Sequence, residues 1–143
     1  MSSEQRLYTF STETKDLLRK FRLTTSRAKD PQAVIYQINK STLEIHPASP
    51  ATTYTSMEDL ADDLPDNSPR YILLSYPLQQ DSGRLSVPYV MLNYLPPTSS
   101  AEPRMLYAGA KELMRNTAEA GRVLEIGDAE EVVGIEGRLR GEE

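Results

Sequence analysis

The sequence predicts an α+β fold, a mixed β-sheet packed by helices around one core. Three observations predict it. Five short runs are β-branched or apolar, and stretches between them repeat their apolar residues at helical spacing. The two kinds alternate in the order α-β-β-α-β-β-α-β-α. One long helical stretch joins two of the strands, and a crossover of that length makes its flanking strands parallel.

Each element follows from local chemistry. The first helix is expected from about Ser11 to Leu23. Ser11 with Thr14, or Thr12 with Lys15, offers a start signal short of a full capping box. Leu17, Leu18 and Phe21 form its apolar stripe, with Phe10 as a staple. Ala33 to Asn39 reads as a strand, Asn39 to Thr42 as turn material, and Leu43 to His46 as the returning partner. Pro47 and Pro50 end it. Ser56 starts a short helix whose early acids suit the positive end of the helix dipole. Arg70 to Tyr76 is the most continuously apolar strand and is expected at the sheet centre. Ser82-Gly83 makes a tight turn before a strand from Ser86 to Leu95, with Pro88 near its start or at a bulge. The long helix spans Pro103 to Ala120 and Val123 to Ile126 is the last strand. Asp128 caps a final helix over Ala129 to Arg140, which Gly134 and Gly137 weaken by about 1 kcal/mol each.

The chain has 143 residues, enough for one domain, here expected to span 1–143. A formal net charge of −5 argues against nucleic-acid binding, which goes with a basic excess. There is no cysteine, so disulfides and thiol chemistry are excluded and a reducing compartment suits the chain. No apolar run approaches the roughly 20 residues of a membrane span. The first residues lack the basic-then-apolar pattern of a secretory signal. A soluble cytoplasmic protein is expected.

Catalytic chemistry is not signalled. One histidine, His46, stands beside Pro47 without the Cys or His partners of a zinc site. The carboxylates from Glu58 to Asp63 lack the glycine and alternating spacing of a calcium loop and read as a solvated face. Neither a phosphate-cradling glycine motif nor a nucleophile elbow is present. The expectation is a protein without enzymatic activity, metal or cofactor.

The long helix carries the informative pattern. At about 100° per residue, Leu106, Tyr107, Ala110, Leu113, Met114 and Ala118 fall on a core side. Met105, Ala108, Gly109, Glu112 and Asn116 fall opposite, a small-residue centre beside a flexible thioether. Arg104, Lys111 and Arg115 line its edge. A cationic rim around a small apolar centre suits a protein interface. Glycine weakens a helix unless something needs close approach.

Four strings in the same order make the pattern specific. They are LRKFR (Leu18 to Arg22), DDLPDNSPRYILLSY (Asp62 to Tyr76), DSGRLSVP (Asp81 to Pro88), and RMLYAGAK followed by NTAEAGRVLEI (Arg104 to Ile126). Together they resemble the glia maturation factor branch of the actin-depolymerising factor/cofilin homology family. Gly109 and the Thr117-Ala118-Glu119 string separate this branch from the more lysine-rich cofilin helix. The resemblance implies a mixed five-stranded sheet sandwiched by helices. It implies an actin regulator that acts as a monomer on the actin-related protein 2/3 complex, with weak or no direct actin binding. Such a protein inhibits nucleation and detaches branches, at branched actin networks such as cortical patches. The implied contact surface is Met105, Ala108, Gly109 and Glu112, rimmed by Arg104, Lys111 and Arg115, with the N-terminal segment from Ser2 and Ser3 to Tyr8 beside it. A second surface would hold Arg19, Lys20 and Arg22 with the Asp81 to Arg84 loop. The segment VVGIEGRLRGEE and the insert HPASPATTYTS depart from the family pattern. A cofilin-type direct actin binder is the alternative, and the basic residues allow an anionic-lipid contact as a secondary activity.

Overall fold

The computed structural model describes residues 7–48 and 52–141. Helix α1 (Thr12–Thr25) opens on Ser11, whose hydroxyl accepts the Thr14 amide at 3.0 Å. That bond satisfies one of the donors a helix start leaves open. Leu18 is buried, but Leu17, expected beside it on the apolar stripe, is 45% exposed. Strands β1 (Gln32–Ile38) and β2 (Ile45–Pro47) form the expected antiparallel hairpin, with Ile38 opposite Ile45 and Tyr36 opposite Pro47. The return strand starts later than expected because Leu43 belongs to the turn. Asn39 Oδ1 accepts the Ser41 and Thr42 amides, and Leu43 takes a positive φ of 63° with its amide on the Asn39 carbonyl. Thr9 closes the outer side of β2: its amide donates to the Leu43 carbonyl and its own carbonyl accepts the Ile45 amide.

Ser56 caps α2 (Met57–Asp62), accepting the Asp59 amide at 3.3 Å. Strand β3 (Arg70–Ser75) takes the central place expected of it, between β1 and β6 (Tyr89–Tyr94) and antiparallel to both. The expected strand from Ser86 to Leu95 is split. Leu85–Ser86 (β5) pairs instead with Leu78–Gln79 (β4) in a separate small hairpin, turned at Gly83 with φ 87°. Pro88 lacks an N–H, so the main ladder restarts at Tyr89, while the Pro88 carbonyl accepts the Tyr76 amide. Helix α3 (Ala101–Ala118) is the crossover to β7 (Arg122–Ile126), which runs parallel to β6. The sheet order is β2-β1-β3-β6-β7.

The single final helix expected after Asp128 is two short ones, α4 (Glu130–Val133) and α5 (Ile135–Leu139). The first has Ala129 at its N-cap position, and Asp128 Oδ1, one residue ahead, accepts the Glu131 amide at 3.1 Å. Gly134 separates them at φ −95° and ψ 21°, and the break lets Val132, Ile135 and Leu139 all point inward.

The interior is two cores rather than the one expected. Tyr36, Tyr71, Leu73 and Met91 on one sheet face pack against Leu18 of α1 and Leu106, Tyr107, Ala110 and Met114 of α3. Ile35, Ile72, Leu74, Leu92 and Ile126 on the other face pack against Met57 and Leu60 of α2 and Val132, Ile135 and Leu139 of the C-terminal helices. Successive strand residues point to opposite faces, so a strand buried on both sides reads as one unbroken apolar run. That is why a one-core reading fitted the sequence. Helices sandwich the sheet.

Candidate functional site

Helix α3 starts at Ala101, which puts Pro103 in the first turn, where its missing N–H costs nothing. It ends where Glu119 adopts a left-handed φ of 59°, with the Glu119 amide on the Asn116 carbonyl and the Ala120 amide on that of Arg115. Two tyrosines fix the helix against the sheet. The Tyr107 hydroxyl accepts the Ile38 amide at 2.9 Å, and the Tyr71 hydroxyl donates to the Tyr107 carbonyl. Their rings meet at 5.2 Å between centroids. Burial first, then the neighbouring Tyr107, pushes the Tyr71 phenol well above its usual range, so it serves as a neutral donor.

With that rotation fixed, Leu106, Tyr107, Ala110, Met114 and Ala118 are buried. Leu113, expected with them, is 39% exposed. Met105, Ala108, Gly109, Glu112 and Asn116 are exposed, and Met105 is the most exposed large apolar side chain of the helix at 69%.

The cations at the edge are not bare. Lys111 Nζ lies 2.9 Å from Glu125 Oε2 on β7, and Asn93 Nδ2 holds the other carboxylate oxygen at 2.8 Å. Arg115 Nη1 is 3.8 Å from Glu112 Oε1, and Arg104 Nη1 donates to the Pro96 carbonyl at 3.4 Å. Between α3 and the β6–β7 side lies a cleft of about 360 Å³ bounded by Asn93, Ala108, Lys111, Glu112 and Glu125. A larger cleft of about 640 Å³ lies beyond α1, where Glu13, Asp16, Glu44 and His46 meet Leu17 and Lys20. His46 Nδ1 is 2.8 Å from the Pro47 carbonyl there. Among the described residues no group of His, Cys, Asp or Glu is arranged to hold a metal ion.

Gly109 has an intramolecular neighbour. The Tyr8 hydroxyl donates to the Leu106 carbonyl at 2.9 Å, and a Cβ added to Gly109 would stand 2.6 Å from that hydroxyl. The resemblance already set the segment ending at Tyr8 beside this face; the bond to Leu106 and the fit over Gly109 are details that no local pattern announces. Glu125 and Asn93 were missed because no local pattern links them to the helix. Ser2 and Ser3 lie outside the described residues.

The second predicted group is gathered only in part. Arg19 and Arg22 face the C-terminal end of α3 together with Lys15, Thr117 and Glu119, and Arg22 Nη2 is 3.6 Å from Glu119 Oε2. Lys20 turns to the opposite side of α1, toward Tyr36 and Pro47. Asp81 and Arg84 are exposed in the β4–β5 turn, where the Gln80 amide donates to the Arg84 carbonyl at 2.7 Å.

Residues 8–134 match the family model described as cofilin/tropomyosin-type actin-binding protein. The chain is 34% identical to protein AIM7 of Saccharomyces cerevisiae over 131 residues, which covers 84% of this chain and 85% of that one. The chain belongs to the actin-depolymerising factor/cofilin family, in its glia maturation factor branch. It is 28% identical to the glia maturation factor of Drosophila melanogaster, covering 91% of this chain and 92% of that one. Human glia maturation factor beta is 39% identical over 77 residues, 54% of each chain. The solution structure of glia maturation factor from Caenorhabditis elegans superposes with a TM-score of 0.73 at 30% identity, covering 92% of this chain and 93% of that one. A cofilin of Streptomyces griseoflavus shares the fold at a TM-score of 0.72 and 18% identity. The family consists of actin regulators rather than enzymes, and no helix among the described residues is long and apolar enough to cross a membrane.

Proposed function

We propose that this chain, as a single homology domain and a monomer, binds the actin-related protein 2/3 complex through the outer face of α3. Binding inhibits branch nucleation and promotes detachment of daughter filaments at branched actin networks in the cytoplasm. The observation that carries this reading is the exposed strip of α3. Met105, Ala108, Gly109 and Glu112 form its centre and Arg104, Lys111 and Arg115 its edge, while the buried side of the same helix already accounts for its packing. A core helix needs no exposed thioether beside small residues; an interface that must fit an irregular partner uses both. The likeness to glia maturation factors, rather than to the lysine-rich cofilin helix, supports the choice of partner.

The match to an actin-binding family model supports a second reading, direct binding to actin filaments. One experiment separates the two. Immobilised protein is offered the purified complex, and soluble protein is sedimented with pure filaments. Retention of the complex with little filament co-sedimentation is expected. Stoichiometric co-sedimentation with filaments, and no retention of the complex, would falsify the proposal.

A further inference from the structure

Three observations converge on one spot of α3. The Tyr8 hydroxyl donates to the Leu106 carbonyl at 2.9 Å. The place where a Cβ on Gly109 would stand is 2.6 Å from the same hydroxyl, closer than real Cβ atoms approach an oxygen. Thr9, the next residue, is fastened on both sides, its amide to the Leu43 carbonyl at 3.1 Å and its carbonyl to the Ile45 amide at 2.8 Å. The chain therefore leaves the β2 edge at Thr9 and is pinned at once to the exposed side of α3.

We infer that Tyr8 is a positioning residue of the α3 surface, and that Gly109 is its seat rather than a gap kept open for the partner. A helical carbonyl already bonded within the helix has a second lone pair, and only a residue without a side chain lets a phenol lie close enough to use it. The Tyr8 hydroxyl and two of its ring carbons lie within 4 Å of where a Cβ on Gly109 would stand, so a surface that approaches Gly109 must share that ground with the ring. Tyr8 also fixes where Leu7, 82% exposed, stands relative to the helix. The inference rests on the proposed function for its partner, but not for the latch itself.

A double-mutant cycle tests it, with Tyr8→Phe, Tyr8→Ala, Gly109→Ala and Tyr8→Ala/Gly109→Ala. The first readout needs no partner: amide hydrogen exchange at Thr9 and Ile45. Tyr8→Phe and Gly109→Ala are each expected to speed it by about fivefold, the size of one lost hydrogen bond. In the Tyr8→Ala background, adding Gly109→Ala should change it no further. Parent-like exchange in both single variants overturns the latch, whatever the partner turns out to be.

The second readout is retention of the actin-related protein 2/3 complex. Tyr8→Ala and Gly109→Ala should each weaken it by about fivefold or more, and the pair should be no weaker than Tyr8→Ala alone. Equal weakening by Gly109→Ala in both backgrounds would mean that the partner itself reads the glycine. Unchanged retention in Tyr8→Ala, with exchange accelerated, would make Tyr8 structural only. Both results overturn the positioning role. If the parent does not retain the complex, the proposed function fails while the exchange data still decide the latch.

Discussion

Two helical layers cover the same sheet in different ways. On one face three short helices, α2, α4 and α5, bury Met57, Leu60, Val132, Ile135 and Leu139 and turn the charges of Glu58, Asp59, Glu130 and Glu131 outward. On the other, the 18 residues of α3 with α1 bury a comparable set but leave Met105 and Ala108 outside. Covering a sheet therefore demands neither a long helix nor an apolar outer strip. What α3 has beyond the short helices is what a core does not explain, and that surplus is the argument for an interface.

The comparison treats both layers as true cores, and truncation is the harshest way to break it. Leu60→Ala beneath the short helices and Met114→Ala beneath α3 each remove a fully buried side chain. Each should cost about 2–5 kcal/mol in denaturant unfolding. A cost below about 1 kcal/mol in either would show that one layer is only loosely applied.

Alkaline titration is the next lever. Burial pushes the Tyr36 phenol up to about 12 and raises Tyr71 and Tyr89 as well, all three in the layer under α1 and α3. A phenol whose folded value is raised lends its full stability below the unfolded value near 10. That stability is lost as pH climbs from there through the folded value. Tyr36 alone then contributes on the order of 2–3 kcal/mol at neutral pH. Tyrosinate absorbance should accordingly rise together with loss of the helical signal above pH 10. Ionisation of all the phenols with the fold intact would contradict this.

Gly109→Ala sharpens the comparison on the exposed side. The sequence alone suggests that filling this glycine stabilises the helix, by about 1 kcal/mol. The Tyr8 contact predicts otherwise: the propensity gain is offset by a lost hydrogen bond of about the same size, so thermal melts of parent and variant should nearly coincide. With Tyr8→Ala already present, the gain should reappear.

The smallest effects concern the edge cations. Arg104→Ala, Lys111→Ala and Arg115→Ala should each change stability by only about 0.5 kcal/mol, since exposed pairs such as Lys111 with Glu125 contribute little. Retention of the partner by the triple variant should weaken and lose its salt dependence, because such charges chiefly steer encounter. Parent-like retention at low salt would mark the strip as solvation alone.

Much of the architecture was legible because it is local. An apolar run such as Tyr71 to Leu74 announces a central strand, and a helix between two strands announces the parallel pair. The two faces of α3 follow from its period, except at Leu113 on the boundary between them. Legibility failed where one atom decides. Gly134, expected only to weaken a helix, splits it, and Leu43 turns left-handed in a hairpin, whereas Pro88 was expected near the start of its strand and the strand does begin just after it, at Tyr89. It failed again where distant residues meet, as Lys111 meets Glu125, while the resemblance had set the segment ending at Tyr8 beside α3 without naming Gly109 as its neighbour. The sequence marks Gly109 as unusual for a helix; only the packing says which neighbour uses it.

The sheet also has two borders, and both are closed to further growth. β2 is only three residues long, ends on a proline and is covered along part of its outer side by Thr9. β7 carries exposed Arg122 and Glu125, and the Glu125 carbonyl is taken by Arg138 Nη1 at 3.1 Å. A free strand border is a template for stacking like upon like; short length, proline and charge remove it. Neither border thus presents a long bare strand on which the sheet could extend through its backbone.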